Sequence, residues 1–176
     1  VLANGSMSSN TSGEGNIREA MIKGDVVEVM ISLPDKLFLN TSIPCCLWFL
    51  TSDKTKNGRD RRNETLFIDC KNLGIMRSKN LKILTEKDII KIKETVSSWK
   101  NKNNYKDIEG FCKSSSTKEI EKNNYTLIPA RYVGYTKEKT DDEPFQVKFQ
   151  KLFEEFKKLS SEGEIIYNKI SKNLNK

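Results

Sequence analysis

The stretch Val26-Val27-Glu28-Val29-Met30-Ile31 decides the fold. It is rich in β-branched residues and is closed by Leu33-Pro34-Asp35, so it reads as a buried strand. Upstream, Val1-Leu2-Ala3 runs directly into Asn4-Gly5, which looks like the tail of a strand entering a turn; a chain seldom opens a domain this way. Between them Ser6 to Gly15 reads as a loop. Asn16 is then expected to cap a short helix from Ile17 to Lys23, with Ile17, Ala20 and Met21 on one face and Gly24 ending it. Downstream, the loop Lys36 to Ser42 leads to a second strand, Cys45 to Thr51. The polar, basic run Ser52 to Asn63 reads as an exposed loop, and Thr65 to Asp69 as a third strand. The order β-α-β-β-β with near-continuous apolar strands indicates an α/β sheet covered by helices on both faces.

The chain has 176 residues, enough for one domain of ordinary size or one with a short appendage. With 36% hydrophobic and 31% charged residues, an ordered core with long solvated stretches is expected. No run approaches the ~20 apolar residues of a membrane span, and no signal-peptide pattern opens the chain, so a soluble, cytoplasmic protein is the expectation. There is no histidine, which removes from this chain every mechanism that needs an imidazole base, and His-ligated zinc with it. The four cysteines, Cys45, Cys46, Cys70 and Cys112, have no CxxC spacing. They read first as small core hydrophobes, with metal or redox chemistry as the alternative. Thirty-one Lys and Arg against 24 Asp and Glu give a net charge of +7. That balance favours a polyanionic partner, although a lysine-rich solvated surface from an AT-rich coding bias would give the same count.

Past residue 71 the character changes. Thr85 and Asp88 form a capping-box-like start, with Asp88 where Glu or Gln is usual, and Ile89, Ile92, Val96 and Trp99 follow at helical spacing. Ser116-Thr-Lys-Glu119 repeats the capping pattern ahead of a short turn of helix. From Glu143, Phe145, Phe149, Leu152, Phe153, Phe156 and Leu159 make one apolar helical stripe. Ser160-Ser-Glu-Gly163 is expected to interrupt it before a last helix carrying Ile166, Ile170 and Leu174, giving an αα-hairpin or an extended arm.

Asn10-Thr-Ser-Gly-Glu-Gly-Asn-Ile-Arg-Glu-Ala-Met21 and Leu33-Pro-Asp-Lys-Leu-Phe-Leu-Asn-Thr-Ser-Ile-Pro-Cys-Cys-Leu-Trp-Phe-Leu50 resemble the modification (methyltransferase) subunit of type I restriction-modification systems. Asp107-Ile-Glu-Gly-Phe-Cys-Lys-Ser114 and Asn123-Asn-Tyr-Thr-Leu-Ile-Pro-Ala-Arg-Tyr-Val-Gly134 extend the resemblance along the whole chain. The family methylates the exocyclic amine of adenine in DNA with S-adenosylmethionine, held by a Gly-rich loop after the first strand of a Rossmann-like sheet. An Asn/Asp-Pro-Pro-aromatic loop grips the amine. Neither motif occurs here: Pro34, Pro44, Pro129 and Pro144 are isolated, and Gly13-Glu-Gly15 does not follow a strand.

The resemblance therefore implies the later part of such a subunit. Residues 1–70 would be the rear of the methyltransferase sheet, mixed because one strand is antiparallel. Residues 71–134 would be a connecting α/β region packed on it, and 135–176 a helical tail. Val1 to Gly5 would match the family's fifth strand, Val26 to Ile31 its sixth and Pro44 to Thr51 its antiparallel seventh. By itself the fragment is expected to be inactive and to bind no cofactor, and its open fifth strand should make it self-associate. The parent's partners would be DNA and the specificity and restriction subunits.

Phe38 matches the aromatic that, in the wider adenine methyltransferase group, stacks on the extruded adenine; the rival reading has it plugging the sheet edge as core. Asn40 and Thr41 stand beside it on the rim as loop-stabilising polar groups. Lys54, Lys56, Arg59, Arg61 and Arg62 are the candidate phosphate contacts, against a solvated loop. The stripe Phe145, Phe149, Leu152, Phe153 and Phe156 is read as a docking face for the specificity subunit, against a helix folded back on its own domain. The alternative function is a non-catalytic basic DNA-binding or assembly module from a truncated gene.

Overall fold

The computed structural model describes residues 1–39, 41–135 and 144–174. They fall into two compact units, Val1–Thr136 and Lys137–Lys176. In chain order the first unit holds β1 (Leu2–Ala3), α1 (Glu14–Lys23), β2 (Val27–Ser32), β3 (Cys45–Leu50) and β4 (Glu64–Asp69). A hairpin of β5 (Ile75–Ser78) and β6 (Leu81–Ile83) follows, then α2 (Glu86–Asn101), β7 (Cys112–Ser116), α3 (Thr117–Lys122) and α4 (Pro129–Val133).

The main sheet has the order β1-β3-β2-β4-β7. β3 is antiparallel to both its neighbours, pairing Ser32 with Cys46 and Leu2 with Cys46 on opposite sides. β2 and β4 are parallel, with Val29 opposite Leu66 and Ser32 opposite Asp69. β7 closes the far edge antiparallel to β4. The mixed sheet and the antiparallel strand between β1 and β2 agree with the expected topology.

Alternation along the strands builds a core on each face. Val27, Met30 and Phe67 face one side, where Met7, Ile22, Ile120, Leu127 and Tyr132 cover them from α1, α3, α4 and the loops beside them. Tyr132 stacks on Phe67 at 3.8 Å between centroids. Val29, Ile31, Leu66 and Ile68 face the other side, packed by Trp99, Ile92 and Val96 of α2. All four cysteines are free and buried within these cores. The Thr85 hydroxyl accepts from Asp88 N–H while the Asp88 carboxylate accepts from Thr85 N–H, so the shorter Asp closes the capping box.

Several expectations are corrected. α1 begins at Glu14 rather than after an Asn16 cap: Gly13 takes the left-handed N-cap position (φ 83°). No local pattern marks β7 or the β5–β6 hairpin, yet both form, and β7 joins the main sheet. The run Ser52 to Asn63 is not simply exposed, because Lys54 and Arg61 are 3% and 1% accessible. In the second unit α5 (Phe145–Leu174) runs unbroken through Ser160–Gly163 as one 30-residue helix, with no hairpin among its described residues. One mid-helix glycine costs only about 1 kcal/mol, too little to break a helix with good formers on both sides.

Candidate functional site

Strand direction sorts the loops onto two opposite edges of the sheet. β1, β2 and β4 run the same way, so the loop from Ser32 to Cys45 lies at their C-terminal ends, while the loop from Leu50 to Glu64 lies at the N-terminal ends. Six residues of β2 separate them, roughly 17 Å. Phe38 and the basic loop therefore do not meet.

At the C-terminal edge, Phe38 is 48% exposed and takes part in neither core. A narrow turn presents it, with Thr41 N–H reaching Phe38 C=O at 3.4 Å and the two residues bridged antiparallel. The Thr41 hydroxyl accepts from Ile43 N–H (3.1 Å). Asn40 lies outside the described residues. Behind the loop, Ser32 donates to Asp69 across β2 and β4 (2.8 Å), and Lys71 ion-pairs with Asp69 (3.3 Å). With Asn4, Asp35, Pro44 and Ile128 these groups line a cavity of about 320 Å³ where the three parallel strands end. In open α/β sheets, ligands gather at that end.

At the N-terminal edge the basic loop is a clasp. Glu28, the second residue of β2, receives Arg61 Nε and Nη2 on one oxygen (3.1 and 3.0 Å) and Lys100 on the other (2.7 Å). Lys54 pairs with Asp25 and donates to Glu64 C=O, both at 2.6 Å. Arg59 binds Glu64 with two nitrogens and donates to Trp99 C=O (3.1 Å), on the negative end of the α2 dipole. Its guanidinium holds the Glu64 carboxyl below the usual carboxylate range. Gly58 permits this approach: a Cβ there would sit 2.5 Å from Lys100 C=O. Lys54 and Arg61 are thus internal struts with no surface to offer a phosphate. Lys56 and Arg62 reach solvent, each in an exposed pair, with Asp53 and Asp60 respectively. Arg62 draws the Asp60 pKa down to about 2.

Buried Glu28 was the available signal for the clasp. A carboxylate inside a buried strand requires a cation, and Asp25 beside it adds a second demand.

The α5 stripe is exposed along its length. Phe145, Phe149 and Phe153 stack successively, with centroids 5.8 and 5.9 Å apart. Phe145, Phe149, Leu152, Phe156, Leu159, Gly163, Ile166 and Ile170 alternate steps of four and three, the 3.5-residue seam of a coiled-coil strand. Gly163 is a seam position.

The glycines do not form a cofactor cradle. Gly13 and Gly15 serve the start of α1, where a Cβ on Gly15 would strike the Asn10 side chain. Gly5, after β1, faces open space. No glycine loop among the described residues is shaped as a cradle for S-adenosylmethionine. Nor do they hold a cluster of three metal-ligating side chains. Among them no helix is long and apolar enough to cross a membrane.

The family model for N-6 DNA methylase matches residues 1–141. This chain belongs to that family. It is 42% identical over 174 residues to the type I restriction enzyme HindI methylase subunit of Haemophilus influenzae, covering 99% of this chain and 38% of that protein. It is 40% identical over 172 residues to the MjaIX methylase subunit of Methanocaldococcus jannaschii, covering 97% of this chain and 30% of that protein. Among solved structures, the type I restriction-modification methyltransferase subunit from Streptococcus thermophilus superposes with a TM-score of 0.62 at 30% identity, over 76% of this chain and 25% of that one. The EcoKI M protein shares the fold, with a TM-score of 0.57 at 11% identity, over 91% of this chain and 38% of that one. This N-6 DNA methylase chain thus spans well under half the length of the curated relatives it matches.

Proposed function

We propose that this chain is a segment of a type I restriction-modification methyltransferase subunit, one that moves a methyl group from S-adenosylmethionine to N6 of adenine in cytoplasmic DNA. Cofactor and amine-gripping loop belong to the remainder of the subunit. This segment supplies the rim against which the extruded adenine stacks, and the helix that docks the specificity subunit. Through that assembly it joins the restriction subunit.

The observation that carries the reading is the placement of Phe38: a half-exposed aromatic on the loop at the C-terminal ends of the parallel strands, in a chain of this family. An extruded base has lost its stacking neighbours, and an aromatic face returns ~1–3 kcal/mol. In the complete enzyme Phe38→Ala should therefore lower methyl transfer roughly 5- to 150-fold. It should also change the fluorescence of a 2-aminopurine placed at the target, with little loss of thermal stability. Unchanged rate and fluorescence would remove the assignment; a large loss of stability would favour the edge-plug reading instead.

The phosphate contacts assigned to the basic loop come down to Lys56 and Arg62, with Arg59 partly accessible. Exposed ion pairs contribute little, so a phosphate can compete for these cations. They would hold the duplex away from the target base. Neutralising Lys56 and Arg62 should flatten the salt dependence of DNA binding, and an unchanged slope removes the contact. The α5 seam fits a second long helix, which supports a helical partner face on the specificity subunit. β1 presents an open sheet edge, which supports self-association of the isolated segment; a strictly monomeric species in sedimentation would count against it.

A further inference from the structure

The geometry points to the β5–β6 hairpin as a backbone clamp: with the Phe38 loop it forms a cleft that takes the DNA phosphodiester beside the extruded nucleotide. This inference rests on the methyltransferase reading and adds to it a binding surface at the target-base edge, distinct from the basic loop at the opposite edge.

Three observations carry it. The first is position. Lys82 N–H of β6 donates to Lys36 C=O (2.8 Å), and the Lys82 ammonium pairs with Asp35 (3.0 Å), so the hairpin is fastened to the loop that presents Phe38. A two-stranded hairpin is marginal by itself, and these ties fix where its turn points. At the base, Gly74 (φ 86°) sits so close to β6 that a Cβ would lie 2.8 Å from Ile83 C=O.

The second is the cleft. Asn80 in the hairpin turn and Lys36, Leu39, Thr41 and Ser42 of the loop enclose about 310 Å³. Among the described residues the lining offers an ammonium, two hydroxyls and an amide, and no carboxylate. Asp35, next to Lys36, is already engaged by Lys82, whose ammonium draws its carboxyl below the usual carboxylate range. A donor-rich space of this kind suits phosphate oxygens.

The third is charge. Arg77 and Lys79 stand exposed at the end of β5 and in the turn, and neither has a carboxylate partner among the described residues. Every cation of the basic loop, by contrast, is ion-paired.

The test uses the complete methylase assembled with its specificity subunit. Binding of a cognate duplex carrying 2-aminopurine at the target is followed by anisotropy across salt concentrations, alongside methyl transfer and subunit assembly. Arg77→Ala/Lys79→Ala should reduce the salt slope by about 2 and weaken binding tenfold or more at ~0.1 M salt. Arg77→Lys/Lys79→Arg should restore both. Lys118→Ala/Lys122→Ala, beyond the opposite edge, should leave the slope unchanged. A wild-type slope in Arg77→Ala/Lys79→Ala, in an enzyme that still methylates adenine, overturns the clamp alone. So does a defect confined to subunit assembly, which would make the hairpin a protein contact. Failure of the wild-type complex to methylate DNA overturns both the clamp and the reading beneath it.

Discussion

Replacing Glu28 by methionine should destabilise the first unit strongly. Glu28 is 6% accessible and takes three charged hydrogen bonds, two from Arg61 and one from Lys100. Arg61 is 1% accessible and lies over Trp99, its guanidinium carbon 5.9 Å from the ring centroid. Glu28→Met leaves that guanidinium buried without its anion, whereas Lys100, partly exposed, can turn to water. Removing one partner of a buried pair costs about 3–5 kcal/mol. For a unit of this size that corresponds to a fall in Tm of roughly 10–15 °C. Urea unfolding followed by tryptophan fluorescence reads it directly, because Trp99 lies beneath the clasp. The double variant Glu28→Met/Arg61→Met removes both charges and should lose less than Glu28→Met alone, since well-packed apolar replacements of buried pairs are often close to neutral. A Glu28→Met loss below about 1 kcal/mol, or a double variant worse than the single, would refute the claim that the loop is held by buried charge.

Three further outcomes follow from burial and from the seam. Burial pushes the Cys70 thiol up to about 12, so it stays protonated and should resist disulfide reagents at pH 8 until the chain is unfolded in urea; rapid native labelling would contradict this. Its folded pKa lies above the unfolded value, so its contribution to stability is whole below pH ~8.5 and is lost as pH rises towards 12, visible as a declining Tm in alkaline buffer. In the second unit, Phe149→Asp/Phe156→Asp should abolish co-purification with the specificity subunit while the thermal transition of the first unit stays within ~1 °C; retained assembly would rule out the seam as the docking face.

The strands of the sheet interior were legible because they are runs of apolar, largely β-branched or aromatic residues, as in Cys45 to Leu50 and, interrupted only by Glu28, Val26 to Ile31. β7 was not, because Cys112-Lys-Ser-Ser-Ser116 has no strand propensity of its own. It exists through pairing with Glu64–Ile68, and its Ser114 hydroxyl accepts from Trp99 Nε1 (2.9 Å). The caps at Thr85 and Ser116 could be read because they act within four residues. The clasp could not be read from the loop itself, since Lys54 and Arg61 meet acids 29 and 33 residues earlier in the chain. The basic run looked solvated for that reason. In α5 the Ser-Ser-Glu-Gly segment looked like a stop, yet Gly163 falls on the 3.5-residue seam, where a small residue lets a second backbone come close. Phe38 was singled out by resemblance alone; its setting at the sheet edge depends on the direction of β2, which no local pattern reveals.

The opposition of the two sheet edges has a bearing on how such a chain can diversify. The ionic clasp shares no side chain with the tips at Phe38–Leu39 and Arg77–Asn80. Libraries varied at those tips should keep their folding yield, each change shifting stability by within about 0.5 kcal/mol. The same mutational load placed between Lys54 and Arg61 should empty the library of soluble members. One end of the fold is free to vary because the other end is committed to holding the molecule together.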